Sequence, residues 1–261
     1  MSERSSEVLL QISGLEIQYG AAIAVRGVNL VVRRGELVSV IGNNGAGKTS
    51  LLRGISGLVR PRAGQVIFKG EDTASFPAHE KVRRGLILVP EGRLIFADQT
   101  VEDNLILGAY GRWNRERKEV LRSFEDMFAL FPRLKERLHQ RAGSLSGGEQ
   151  QMLAVARGLV SKPDLLMIDE MSLGLAPKIV GQMMAVLRDL NAAGQTILLV
   201  EQLAAQALAI ADRAYVVGHG KIELEGSAAE LADLPAVMEA FLGRKRRPSS
   251  TKENLNEQTY H

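Results

Sequence analysis

Apolar and polar positions alternate along residues 8–19 and again along residues 28–32, a period of two that predicts half-buried strands joined by glycine-containing turns. The texture then changes. Residues 37–41, 86–89, 165–168 and 197–200 are short unbroken apolar runs, as expected of strands buried on both faces of a parallel sheet. Helix-period segments separate these runs, so the pattern predicts an α/β core behind an antiparallel β opening. Between residues 91 and 145 the strand signals vanish. Residues 101–110, 115–130 and 132–141 carry the charged, amphipathic pattern of helices, which predicts an α-helical subdomain inserted in the α/β core of a domain spanning residues 1–243.

After Gly243 the apolar texture stops, and residues 244–261 read as a disordered tail. The tail changes the meaning of the charge. The whole chain has 33 basic and 30 acidic residues, a net of +3. Arg244, Lys245, Arg246, Arg247 and Lys252 against Glu253 and Glu257 account for all of that excess, so residues 1–243 are formally neutral and no nucleic-acid partner is expected of them. Zero cysteines exclude disulfides, Cys-ligated zinc, iron–sulfur clusters and thiol catalysis. The polar start MSERSSEV lacks the apolar stretch of a secretory signal, and no run approaches the ~18 apolar residues that span a bilayer. The expectation is a chain without a membrane span, working in the cytoplasm.

The strongest chemical signal is GNNGAGKT, formed by Gly42, Asn43, Asn44, Gly45, Ala46, Gly47, Lys48 and Thr49 and followed by Ser50, directly after the apolar run at 37–41. Strand, glycine loop and helix start stand in the order a phosphate loop needs. Its glycines let successive backbone N–H groups point at phosphate oxygens, and the helix that follows adds the positive end of its dipole. Lys48 then supplies a full charge to the β- and γ-phosphates, and the Thr49 hydroxyl reaches Mg²⁺. A second apolar run ends in two carboxylates, LLMIDE, at the strand edge where parallel sheets bind ligands. Asp169 is placed to hold Mg²⁺ through its water shell, and Glu170 to polarise the attacking water as general base. A third motif, LSGGEQ, pairs Ser146 with Glu149 as a capping box in front of a helix, and a capped helix N-terminus preceded by small residues is also an anion site.

LSGGEQ about 100 residues after the phosphate loop and about 20 before LLMIDE resembles the signature of the ATP-binding-cassette ATPases, and the resemblance covers residues 8–243. It implies a P-loop NTPase fold with an N-terminal antiparallel β subdomain, ATP and Mg²⁺ as cofactors, and Tyr19 in IQYG stacking on adenine. It also implies head-to-tail dimers in which Ser146, Gly147, Gly148 and Glu149 serve the ATP held by the partner's phosphate loop. The glutamine that links Mg²⁺ and the attacking water to the transmembrane subunits falls on Glu91, the switch histidine on Gln202, the D-loop aspartate on Ala176, and the proline after the catalytic glutamate on Met171, where a slightly looser turn is expected.

VPEGR, TVEDNL, SLGLAPKIV and LLVEQ together resemble the shorter of the two ATPase types of bacterial branched-chain amino-acid importers; a cousin of that type serves urea and short-chain amide importers. The partners this implies are a second ATPase subunit, as a heterodimer or, for the isolated chain, a homodimer, two transmembrane permeases contacted through Arg93, Ile95 and Phe96, and indirectly a periplasmic binding protein. The place implied is the cytoplasmic face of a bacterial inner membrane. A soluble cassette acting on DNA or ribosomes fits less well, because the chain has one cassette and no coiled-coil or zinc insertion. Gln202 cannot become cationic, and hydrogen bonds that carry a charge are roughly twice as strong as neutral ones. The resemblance therefore also implies a slower half-site here than in the partner ATPase.

Overall fold

The structure, a computed structural model, describes residues 7–234 and 237, apart from the side chains of residues 113–115; the basic tail expected at 244–261 lies outside them. In chain order the elements are β1 (Val8–Tyr19), β2 (Ala22–Arg33), β3 (Leu37–Ile41), α1 (Lys48–Ser56), β4 (Ala63–Phe68), β5 (Glu71–Asp72), α2 (Ala78–Arg83) and β6 (Leu86–Val89). They continue with α3 (Val101–Gly108), α4 (Tyr110–Leu130), α5 (Pro132–Glu136), α6 (Gly147–Val160), β7 (Leu165–Asp169), α7 (Pro177–Ala192), β8 (Thr196–Glu201), α8 (Ala204–Leu208), β9 (Arg213–Gly218), β10 (Lys221–Ser227) and α9 (Ala228–Asp233).

A four-stranded antiparallel sheet in the order β2-β1-β4-β5 packs beside a six-stranded sheet in the order β10-β9-β3-β8-β7-β6. Strands β9, β3, β8, β7 and β6 of the larger sheet are parallel, and β10 adds an antiparallel edge. Every residue of β3, β7 and β8 is buried, and the period of two divides them between two cores. Val38, Val40, Leu165, Met167, Leu198 and Val200 face the smaller sheet and α1. Leu37, Ile41, Leu166, Ile168, Ile197 and Leu199 face α6, α7 and α8. Two covered faces are the reason these strands read as unbroken apolar runs, and each such side chain contributes about 1.5–3 kcal/mol by leaving water.

The helices expected between residues 91 and 145 are present, with two differences. The helix expected at 132–141 stops at Glu136. The Leu138 and Gln140 carbonyls instead accept the first N–H groups of α3, from Glu102 and Val101, both at 3.0 Å, and so satisfy donors that a helix start leaves open. The segment expected at 115–130 starts at Tyr110 and kinks at Glu116. Strand β2 runs over twelve residues, longer than its alternating stretch at 28–32, because its full length pairs with β1 through several register shifts.

One lysine carries a pH-dependent prediction. Lys81 on α2 is wholly buried and donates from Nζ to the Ile55 carbonyl at the end of α1, at 2.8 Å. Burial pushes its pKa down to about 8, against the attraction of Asp72. Between that value and the ordinary 10.5 the unfolded chain holds a proton that the folded chain releases, so stability rises with pH across this window. From pH 8 to pH 10 the wild type should gain about 2 kcal/mol over Lys81→Met in urea unfolding. Parallel curves for the two proteins would contradict this.

Candidate active site

The order β3-β8-β7 sets three loops side by side at the C-terminal edge of the parallel sheet, where such folds bind ligands. The loop after β3 is the glycine loop, that after β7 carries Glu170, and that after β8 carries Gln202. Two glycines in the first loop are required by space. A Cβ on Gly42 would come within 2.4 Å of the Val217 carbonyl oxygen, and one on Gly47, at φ 104°, within 2.4 Å of the Ala24 carbonyl oxygen. Gly47 also caps α1 without a side-chain acceptor, so the first N–H groups of this helix remain open to an anion. Asn43, Asn44 and Gly45 are exposed at the loop crest, Ala46 is buried, and Thr49 and Ser50 are half-buried.

Lys48 is 3% exposed and bridges two of the loops. Its Nζ donates to the Gly42 and Asn43 carbonyls at 2.9 and 3.2 Å and pairs with Glu170 Oε1 at 2.9 Å. The phosphate-loop cation and the candidate base therefore hold each other. Glu170 has φ 42°, in the left-handed region that non-glycine residues seldom occupy, and its N–H donates to the Val200 carbonyl at 2.9 Å. The Thr49 hydroxyl donates to Asp169 Oδ1 at 3.2 Å. Burial pushes the Asp169 carboxyl up to about 6, the Thr49 hydrogen bond works the other way, and the charges of Glu170 and Glu91 add to the rise. A buried carboxylate raised in this way, beside a hydroxyl, is an all-oxygen donor pair that suits a hard divalent cation such as Mg²⁺. Glu91 is exposed just beyond β6 and acts on this pair through its charge.

The rest of the expected set divides in two. Tyr19 ends β1 with 40% of its surface exposed, so it stands free for stacking and is not a core strand tyrosine. Gln202 is exposed. Ser146, Gly147, Gly148 and Glu149 form the start of α6, remote in sequence from the glycine loop. There Ser146 Oγ accepts from the Glu149 N–H at 3.3 Å, the Ser146 N–H donates to Glu149 Oε2 at 2.9 Å, and Arg137 Nε pairs with Glu149 Oε1 at 2.8 Å. Arg93, expected to contact a permease, lies against Gly147 within the chain and donates from Nη1 to Gln150 Oε1 at 3.0 Å. Ala176 is the N-cap of α7 and offers no side-chain acceptor there.

The Met171 side chain, where proline is expected after Glu170, is buried in the core, and Ser172 is anchored on Glu201, a wholly buried carboxylate at the end of β8. The sequence motifs do not mark Glu201 or the Lys48–Glu170 pair. The signal for Glu201 was the same one that exposed Asp169, an acid closing an unbroken apolar strand.

A model of the ABC transporter family matches residues 25–172. The high-affinity branched-chain amino acid transport ATP-binding protein BraG of Pseudomonas aeruginosa is 43% identical over 235 residues, which are 90% of this chain and 100% of BraG. Among solved structures, an ATP-binding cassette of an ABC transporter superposes with a TM-score of 0.80 at 25% identity, covering 90% of this chain and 99% of the other. A dimeric cassette in a post-hydrolysis state bound to ADP and Pi superposes with a TM-score of 0.72 at 26% identity, covering 84% of this chain and 99% of the other.

Proposed function

Since the chain belongs to the ABC transporter family and is an ATP-binding, ATP-hydrolysing subunit of it, we propose that its cargo system is an importer of branched-chain amino acids. The likeness to BraG along that protein's whole length carries this reading. In it the chain pairs with a second cassette ATPase and drives two transmembrane permeases, fed by a periplasmic binding protein, at the cytoplasmic face of a bacterial inner membrane. No helix among the described residues is long and apolar enough to cross that membrane.

At the site, the open N–H groups of α1 and the Lys48 ammonium hold the ATP phosphates, and Tyr19 stacks on the base. Thr49 and Asp169 would hold Mg²⁺, with the charge of Glu91 acting on the pair, and the ion would supply neutralisation of phosphate charge. Glu170, released from Lys48 as phosphate takes its place, accepts the proton of the attacking water. Gln202 donates to the γ-phosphate, and the start of α6 serves the nucleotide of the partner ATPase.

A groove of about 420 Å³ between α2, the segment after β6, and α6 supports the permease reading. Leu58, Val82, Leu94, Phe96 and Leu107 line it with large exposed apolar surfaces, and the Arg157 guanidinium sits 5.4 Å from the centre of the Phe96 ring. Phe96→Asp should cut amino-acid uptake at least tenfold while the purified chain binds ATP with unchanged affinity; unchanged uptake would remove this surface from the coupling path. The cargo itself is tested in a strain lacking this chain. Lost uptake of leucine and isoleucine with retained urea uptake is the expected result, and lost urea uptake with intact leucine uptake overturns it.

A further inference from the structure

Glu201 is 0% exposed, yet it is a carboxylate, and no step described so far uses it. Its partners explain how it is tolerated. Oε1 accepts from the Ser172 N–H at 3.1 Å, and Oε2 accepts from the Ser172 hydroxyl at 2.6 Å. Buried carboxylates persist only when their lone pairs are filled in this way. The carboxylate and its donors belong to two different segments. Ser172 stands two residues after Glu170, on the turn held at positive φ, and Gln202 follows Glu201 directly on the loop after β8. Burial and the nearby Glu170 charge push the Glu201 carboxyl up, while the hydrogen bonds from Ser172 work against them.

We propose that Glu201 is a positioning residue of the ATPase, a buried strut that fixes the Glu170 turn and the Gln202 loop in one register. This rests on the roles given above to Glu170 and Gln202. Other features of the chain make the strut consequential. Met171 stands where proline's fixed φ is expected, so the turn depends on burial and on this anchor. Gln202 makes only neutral hydrogen bonds, whose strength falls quickly with misalignment, so its contribution depends on where its backbone is held. A displacement of about 1 Å at such a site costs on the order of 100-fold in rate.

The test uses the full chain, with turnover normalised to sites counted by titration with a fluorescent ATP analogue. Ser172→Ala removes the hydroxyl donor and keeps the backbone N–H donor; in protein that retains a cooperative melting transition it should lower kcat about tenfold with the KM for ATP within about twofold of wild type. Glu201→Ala should lower kcat further. Glu201→Gln, which keeps an acceptor for the Ser172 N–H and a donor for its hydroxyl, should recover to within about threefold of wild type. Because Glu201 bridges the two loops, the losses from Ser172→Ala and Gln202→Ala should be markedly less than multiplicative in the double variant. Unchanged kcat in Ser172→Ala and Glu201→Ala, or losses that multiply, overturn the proposal. So does a loss in Glu201→Ala that follows its melting temperature and appears equally in KM. Glu170→Gln is the control: if it hydrolyses ATP normally the underlying reading of the site fails, and if it is inactive while the Glu201 series is normal only the strut fails.

Discussion

Glu170→Gln is expected to lower kcat for ATP hydrolysis by ~10²- to 10⁴-fold, the usual cost of losing a general base. It should do so while ATP binds at least as tightly as to wild type. The second half of this expectation comes from the geometry. Lys48 Nζ lies 2.9 Å from Glu170 Oε1, so carboxylate and phosphate compete for one buried ammonium. A glutamine keeps the shape and removes the charged competitor. Phosphate release and equilibrium binding of ATP, measured on the same preparation, separate the two effects. A loss smaller than about tenfold, or weaker binding in step with the slower turnover, would contradict the assignment. In the assembled transporter the same change made here and in the partner ATPase should give unequal losses, because the half-site of this chain has Gln202 where a chargeable histidine is expected. Equal losses would remove the asymmetry.

Lys48→Ala is expected to weaken ATP binding about 100-fold. The ammonium is the one full positive charge among the described residues that joins the glycine loop to Glu170, and backbone N–H groups alone cannot replace a charge-assisted contact to phosphate. The substitution also strands Glu170 without its cation, which should cost about 1–3 kcal/mol of folding stability. The double variant Lys48→Ala/Glu170→Gln therefore separates the two consequences. It should regain most of the stability and none of the nucleotide affinity, as read by urea unfolding and by ATP titration. Recovery of binding in the double variant would mean that Lys48 acts on Glu170 and not on phosphate.

Much of this site was legible in the sequence because each motif carries its own local physics. The glycine loop needs residues without Cβ atoms at Gly42 and Gly47, and the run 37–41 before it is apolar throughout because both its faces are covered. The capping box at Ser146 and Glu149 is a short-range pattern and forms as the spacing dictates. What stayed hidden depends on partners distant in the chain. Glu201 meets Ser172 across 29 positions, and Lys81 finds the Ile55 carbonyl across 26, so neither burial is visible in a local window. The end of α5 at Glu136 follows from carbonyls that α3 recruits, not from any breaker in its own residues. Strand β10, with its exposed charged positions, shows little of the apolar texture that revealed β3, β7 and β8 and is held at the sheet edge by pairing with β9.

ATP-driven transport in a membrane of defined composition tests the central claim most directly. The chain, purified with its partner ATPase and two permeases and reconstituted into vesicles with ATP on the side of the ATPases, should accumulate leucine delivered by the cognate binding protein. The complex carrying Glu170→Gln should bind ATP and accumulate at least tenfold less. Leucine accumulation that proceeds equally with Glu170→Gln, or that does not depend on ATP, would contradict the account.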